Sequence, residues 1–120
     1  FEGGWDRALS QEGAGAYAGA LEAVRLAPSA SNRQPWRIIK RSGQDVFDLF
    51  LKRTPFYNNK VINAPGGDLQ RLDMGIAMYH FEVGAAAAGL TGEWMVEEGV
   101  SHYGNAPART AYVASWRPGV

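Results

Sequence analysis

The stretch RLAPSASNRQPWR, residues 25–37, holds more polar groups between rigid neighbours than any other part of the chain. Pro28 and Pro35 each fix one φ angle and remove one backbone donor. Each proline also drives the residue before it towards extended geometry. The Ser, Asn and Gln side chains between the prolines offer both donors and acceptors. The stretch therefore predicts a stiff polar loop that suits a ligand with alternating donors and acceptors on a flat edge.

In a second interpretation, the same loop binds no ligand. Ser and Asn side chains often hydrogen-bond their own backbone in connections between a helix and a strand, and residue spacing alone favours that interpretation. Arg33 or Arg37 could instead meet a phosphate. The stretch contains no Cys or His, so it does not indicate a nucleophile or a metal site.

The residues on both sides of the loop predict an α+β fold, with helices packed on an antiparallel sheet. Apolar residues at three- and four-residue spacing predict a helix from Ala14 to Leu26, with Ser10 as a possible N-cap. A hairpin follows, with strands at 36–40 and 46–51 and Gly43 in its turn. Trp36 is predicted to be a core anchor. Residues 52–68, with Phe56 and Tyr57, form a long connection of the kind that is often functional.

The longest predicted helix is unusual because much of it lacks bulk. It begins at Asp68, a possible cap, and ends at Gly89, which lies where a C′ glycine belongs. Its apolar stripe comprises Leu69, Leu72, Ile76, Tyr79, Val83 and Ala87. The small residues elsewhere on it are Gly75, Gly84 and 85–88. Because each interior Gly costs about 1 kcal/mol against Ala, we expect close approach of a helix, a second chain or a flat ligand, and burial on more than one side. Strands at 92–96 and 110–116 follow.

Composition and charge exclude several classes of protein. The 120 residues are 46% hydrophobic with zero formal net charge, which predicts one globular domain over residues 1–120 and no nucleic-acid partner. The absence of Cys excludes disulfides and thiolate chemistry. No apolar run approaches the roughly 18 residues of a membrane span, and no signal peptide is visible, so we expect a cytoplasmic protein without membrane contact.

No metal site or catalytic acid–base group is predicted. His80 has Gly84 four residues later, where a second ligand would be needed on the same helix face. Glu97 and Glu98 are adjacent after a predicted strand, where neighbouring side chains face opposite sides. They therefore do not form a carboxylate pair for hydrolysis.

Two motifs resemble the FMN-dependent nitroreductase family. Residues 27–37, APSASNRQPWR, are similar to its A-P-S-x-x-N-x-Q-P-W motif. Residues 72–90 are similar to a family helix that reads D-x-G-x-A, then A-A, then G-L. This helix and the Gly-Glu-Trp that follows at 92–94 are most similar to the C-terminal half of the branch called "Putative TM nitroreductase". Members of that branch resemble a tandem, dimer-like duplication, and the resemblance covers about residues 13–95.

The resemblance implies a nitroreductase-like fold, forming half of a dimer-like unit, with FMN as cofactor. It further implies two-electron reduction of nitroaromatics, quinones or similar acceptors with NAD(P)H. The flavin carries out the redox chemistry in such enzymes, so no catalytic acid or base is expected. The residues implied to bind the cofactor are Pro28, Ser29, Ala30, Asn32, Gln34, Leu90, Thr91 and Gly92. The loop residues would serve the partner half's flavin, with Gln34 reaching the ring or shaping the loop.

The chain also departs from the family. It starts at Phe1 rather than Met and lacks the Arg-rich R-x-S-x-R motif that binds the FMN phosphate. Three hypotheses follow: an FMN oxidoreductase or one half of it, a non-catalytic nitroreductase-like half that serves dimerisation, and a flavin or nucleotide carrier. The expected partners are a small-molecule electron acceptor and either a second copy or another nitroreductase-like half.

Overall fold

The computed structural model describes residues 1, 3–5, 8–29, 34–52, 69–99, 107 and 109–119, without the side chains of residues 69 and 70. The predicted connection with Phe56 and Tyr57, and Asp68 as a cap, lie outside the described residues. The elements are α1 (Gln11–Ala14), a 3₁₀ turn (Gly15–Tyr17), α2 (Ala18–Arg25), β1 (Trp36–Lys40), β2 (Phe47–Lys52), α3 (Leu69–Ala87), β3 (Gly92–Met95) and β4 (Thr110–Pro118).

The four strands form one antiparallel sheet in the order β1-β2-β4-β3. The β1–β2 hairpin turns through Gly43, whose φ of 70° suits glycine. The pairing of β2 with β4 shifts register between Leu49 and Phe50, as in a β-bulge. The α+β prediction is confirmed, with each predicted strand within two residues of its observed bounds.

The first helix is interrupted, so the prediction of one helix from Ala14 to Leu26 is wrong. The helical segment begins earlier, at Gln11, because Ser10 caps it by accepting a hydrogen bond from the Gly13 N–H at 2.9 Å. It breaks at Gly15, where φ is 59° and ψ is −131°. Glycine alone adopts such angles readily, and the chain resumes as a 3₁₀ turn before α2.

The core lies between the helices and one face of the sheet. Its centre is a cluster of aromatic rings: Tyr17, Phe47, Phe81, Trp94 and Trp116. The Trp116 indole N–H donates to the Tyr17 hydroxyl at 3.1 Å, which satisfies a polar group that burial would otherwise leave unpaired. Trp36 is 8% exposed and joins this core, so its prediction as a core anchor is confirmed.

Helix α3 packs on the core through a different face from the predicted stripe. The stripe residues Leu72, Tyr79 and Val83 are 56%, 64% and 48% exposed. The residues that face the core are Met74, Ala77, Phe81 and Ala85. Of the stripe, Ile76 packs partly against the core, whereas Leu72, Tyr79 and Val83 stay largely uncovered by the described part of this chain. Burial of α3 on a second side stays a prediction.

The end of α3 sets the entry into β3. Gly89 has a φ of 77°, and its N–H donates to the Ala86 carbonyl at 3.0 Å. The Leu90 N–H donates to the Ala85 carbonyl at 2.9 Å. These two bonds form a Schellman motif, which confirms the predicted C′ glycine and fixes where Leu90 leaves the helix.

In the described ranges, the structure supports neither a membrane span nor a metal site. None of their helices is both long and apolar enough to cross a membrane. Nor do those ranges bring together three or more His, Cys, Asp or Glu residues in a way that could hold a metal ion.

Candidate functional site

The polar loop between α2 and β1 is closed by side-chain bonds to its own backbone. The Ser29 hydroxyl oxygen accepts from the Gln34 N–H at 2.9 Å. The Gln34 side-chain amide donates to the Arg25 carbonyl at the end of α2, at 3.0 Å. Gln34 has a φ of 48°, which is uncommon for a residue with a side chain. The two described ends of the loop are thus joined to each other and to α2, and Gln34 has a mildly strained conformation of the kind found at ligand sites.

Arg37 links the C-terminal end of the loop to the start of β1 through hydrogen bonds. Its guanidinium donates to the Gln34 carbonyl at 2.9 Å and to the Trp36 carbonyl at 2.7 Å. On the other side of β1, the Lys52 N–H donates to the Pro35 carbonyl at 2.8 Å. The backbone carbonyls of Gln34, Pro35 and Trp36, at the start of β1, therefore all have hydrogen-bond partners, as buried backbone carbonyls generally do.

These bonds agree with the interpretation in which Ser and Gln serve their own loop. Gln34 shapes the loop, since its amide group is engaged with α2. Ser29 uses a lone pair, which leaves its hydroxyl hydrogen for a second partner. Pro28 is exposed beside it. Ala30, Asn32 and Arg33 lie outside the described residues, so their assignments stay predictions.

The second predicted set, Leu90 to Gly92, leads from α3 into β3, which begins at Gly92. The Thr91 carbonyl accepts from the Gly119 N–H at 2.7 Å, and Gly92 pairs with Pro118 of β4. A Cβ at Gly92 would lie 2.5 Å from both the Arg117 carbonyl oxygen and the Trp116 ring. Packing therefore explains this glycine without a ligand.

The two predicted sets lie at diagonally opposite corners of the sheet. The loop precedes Trp36, at the end of β1 where Leu51 of β2 pairs. Gly92 pairs with the far end of β4, on the opposite edge strand. With strands about 4.8 Å apart and about 3.4 Å per residue, the corners are about 14 Å apart across the sheet and about 20 Å along it. One chain therefore does not bring both sets into one pocket.

The other face of the sheet carries a polar cluster centred on a fully buried carboxylate. Asp48 is 0% exposed and accepts two hydrogen bonds from Arg41, both at 3.0 Å. Ser115 donates to the same carboxylate at 2.5 Å and shares a hydrogen bond of 2.7 Å with Tyr112. Sequence reasoning missed this cluster, although an Asp inside the apolar run VFDLFL, residues 46–51, was a signal.

Glu97 extends the cluster beyond β3. It accepts from Arg41 at 2.7 Å and from Arg117, while its backbone N–H donates to the Tyr112 hydroxyl at 3.1 Å. Glu98 is exposed. The two carboxylates thus have different surroundings, as their adjacency on the chain predicted. The arrangement cross-links β2 and β4 with the residue that follows β1 and the segment after β3, and it offers no general acid–base pair.

We expect the contribution of Glu97 to stability to disappear at low pH. The hydrogen bond from Arg117, with that from Arg41, holds the pKa of Glu97 below its ordinary value. A depressed folded-state pKa stabilises the protein above the unfolded value of about 4.3, and this is lost as pH falls through the folded pKa. In urea unfolding, the stability gap between wild type and Glu97→Gln should therefore shrink from pH 7 to pH 3. Glu98→Gln controls for loss of a nearby surface charge, and a gap that stayed constant would refute the linkage.

The loop lies within a segment that matches a known family. The family model described as "Putative TM nitroreductase" matches residues 11–85, from α1 to near the end of α3. No significant match is found among curated proteins. The matched segment is more than half of the chain and contains the loop, the hairpin and most of the helix that carries the exposed stripe. The chain therefore belongs to the "Putative TM nitroreductase" family.

Proposed function

We propose that this chain is one half of an FMN-dependent oxidoreductase that uses NAD(P)H to reduce nitroaromatics, quinones or similar acceptors. The observation that carries the proposal is the closed polar loop between α2 and β1, inside the segment that matches the family. Its described ends, Ser29 and Gln34, are held by side-chain bonds to the backbone, so these two residues have little freedom left to lose when a ligand binds.

The described residues fit the ring end of a flavin. Ser29 keeps a hydroxyl hydrogen for an acceptor on the ring, and Pro28 is exposed next to it. When bound, FMN supplies the two-electron redox chemistry. The chain's part is to bind and orient the ring, which is why a catalytic acid or base is not required. The Arg-rich motif of the family is not found in residues 1–120, and we assign none of these residues to the phosphate end.

The placement of the two predicted sets favours a site shared between two halves. The loop and the start of β3 occupy opposite corners of the sheet. A second half can bring its own loop to the β3 corner of the first, whereas one half alone cannot. Helix α3 offers an apolar surface for that pairing, since Leu72, Tyr79 and Val83 are each about half exposed or more.

The deciding experiment is a flavin titration of the purified chain, followed by absorbance and by mass in solution. We expect FMN to remain with an associated form of the protein. Ser29→Ala combined with Asn32→Ala should weaken FMN binding at least about tenfold, since hydrogen bonds at a ligand contribute about 1 to 1.5 kcal/mol each. Activity with NAD(P)H and a nitroaromatic should fall in parallel.

Two controls separate a lost contact from a collapsed loop. Ser29→Thr keeps the hydroxyl that accepts from Gln34 and should retain FMN. Ser42→Ala combined with Gln44→Ala makes an equal number of changes in the β1–β2 turn, at the far end of β1 from the loop. Full FMN occupancy in the Ser29/Asn32 variant would refute the site assignment.

A second candidate function, a non-catalytic half that serves pairing, is favoured by the exposed stripe on α3. We expect Leu72→Gln with Tyr79→Gln to weaken self-association by about tenfold or more, because each buried apolar side chain contributes about 1.5 to 3 kcal/mol. Sedimentation across a concentration series measures this. Glu82→Gln, an exposed polar position on the same helix, is the control.

The outcomes distinguish the two functions. An associated protein that stays colourless with added FMN supports the pairing role and contradicts the oxidoreductase. A chain that stays monomeric at high concentration contradicts self-pairing. Association unchanged by the Leu72/Tyr79 variant would place the interface away from the stripe.

A further inference from the structure

A groove of about 900 Å³ lies beside the polar loop, between the α1–α2 segment and the edge strand β1. Its walls are mostly apolar. The apolar side chains that line it include Leu9, Ala14, Ala18, Leu21, Trp36 and Ile38. It does not reach the start of β3. A space of this size and composition is typical of pockets for small organic ligands.

The charges of the described side chains that line the groove do not sum to zero. Glu22 and Arg25 neutralise each other through two hydrogen bonds of 2.9 and 2.5 Å. Arg37 also lines the groove. Within the part of the chain that the structure describes, its guanidinium contacts the carbonyls of Gln34 and Trp36 and no carboxylate. Among the described side chains that line the groove, Arg37 is thus the cation without a carboxylate partner.

Arg37 is also partly desolvated. Burial lowers the pKa of its guanidinium from the ordinary value, because a charged group loses hydration without a counter-ion. Only NH1 makes the two carbonyl bonds, so Nε and NH2 keep N–H groups for a further acceptor. Two such N–H groups on a planar fork match the two oxygens of a carboxylate.

We propose that this groove binds a small monocarboxylate with an apolar or aromatic body, whose carboxylate pairs with Arg37. One negative charge matches the one unpaired cation, and the apolar body covers Trp36, Leu21 and Ile38. A phosphate carries more charge than the groove neutralises and has no apolar body to bury. This inference does not rest on flavin binding, since none of the described residues assigned to the flavin lines the groove.

Benzoate is the probe, and benzamide is its neutral counterpart of the same shape. Isothermal titration at neutral pH, with ligand-detected magnetic resonance as a second readout, measures both. We expect saturable benzoate binding, with benzamide weaker by about tenfold or more, because hydrogen bonds to charged groups contribute about 1.5 to 3 kcal/mol. Absence of saturable benzoate binding to the folded wild-type protein would overturn the proposal, and so would equal binding of the two compounds.

Substitutions test whether Arg37 is the residue that binds the carboxylate. Arg37→Gln should weaken benzoate binding by about tenfold, and Arg37→Lys by less, because lysine keeps the charge but not the fork. Glu22→Gln combined with Arg25→Gln removes both members of the neutral pair and preserves the net charge, so binding should be retained. Unchanged benzoate binding in a folded Arg37→Gln variant would refute the anchor.

Competition tests the ligand class on the wild-type protein, so it holds even where Arg37→Gln does not fold. Inorganic phosphate that bound more tightly than benzoate would overturn the assignment to an apolar carboxylate. If FMN displaced benzoate, the groove would belong to the flavin site, and the proposal of a separate site would be overturned. Benzoate binding that persists in the Ser29/Asn32 variant supports a separate site, whatever the outcome for FMN.

Discussion

Asp48→Ala is expected to lower the free energy of unfolding by about 3 kcal/mol, the largest effect among the polar substitutions considered. The carboxylate is fully buried and accepts hydrogen bonds from Arg41 and Ser115. The substitution removes a hydrogen-bond partner of the Arg41 guanidinium, which is only 23% exposed. The hydrogen bond to Asp48 is the main reason that the pKa of Arg41 lies above its ordinary value. Urea denaturation at pH 7 measures the loss.

The controls for Asp48 lie in the same hairpin and the same cluster. Asp45→Ala removes an exposed carboxylate from the turn and should change stability by no more than about 0.5 kcal/mol. Ser115→Ala should cost about 1 kcal/mol, the typical value of one hydrogen bond. A double-mutant cycle of Asp48→Ala with Arg41→Ala should show strong coupling. Additive losses would mean that the pair contributes little.

Gly84→Ala is expected to destabilise the fold although alanine is the better helix former. A Cβ at Gly84 would lie 2.8 Å from the Ala20 Cα and 3.2 Å from the Ala23 Cβ. Helices α2 and α3 must then move apart, which typically costs about 1 to 3 kcal/mol. The gain of about 1 kcal/mol in helix propensity offsets part of this. We expect a net loss of about 1 to 2 kcal/mol in thermal or urea unfolding.

Gly75→Ala is the matched control in the same helix and should have the opposite sign. A Cβ there meets no atom of the described residues within 4 Å, so the propensity term should raise stability by about 0.5 to 1 kcal/mol. Both variants should be measured at low protein concentration, where association does not contribute. Equal effects of the two substitutions would refute the close helix contact. A Gly75→Ala effect that reversed at high concentration would indicate that a partner covers this side of α3.

Local chemistry in the sequence determined much of the fold. Ser10 could be identified as a cap, Gly43 as a turn and Gly89 as a C′ residue because each depends on a few neighbouring residues. Period-two and period-three-to-four patterns located the strands and the long helix. Trp36 was predictable as a core residue. The motif at 27–37 located the candidate loop, and the family match over residues 11–85 includes it.

Tertiary structure alone decided which surfaces meet. Periodicity shows that α3 has an apolar stripe, but only packing shows that Met74 and Phe81 face the core while Leu72 and Tyr79 remain exposed. Buried Asp48 is satisfied by Arg41 across the β1–β2 hairpin and by Ser115, which is 67 positions away in the chain and lies in no local pattern around Asp48. The opposite corners of the two predicted site sets follow from the strand order β1-β2-β4-β3. Strand order depends on long-range pairing, so one chain's sequence could name both sets of residues without showing that they lie apart.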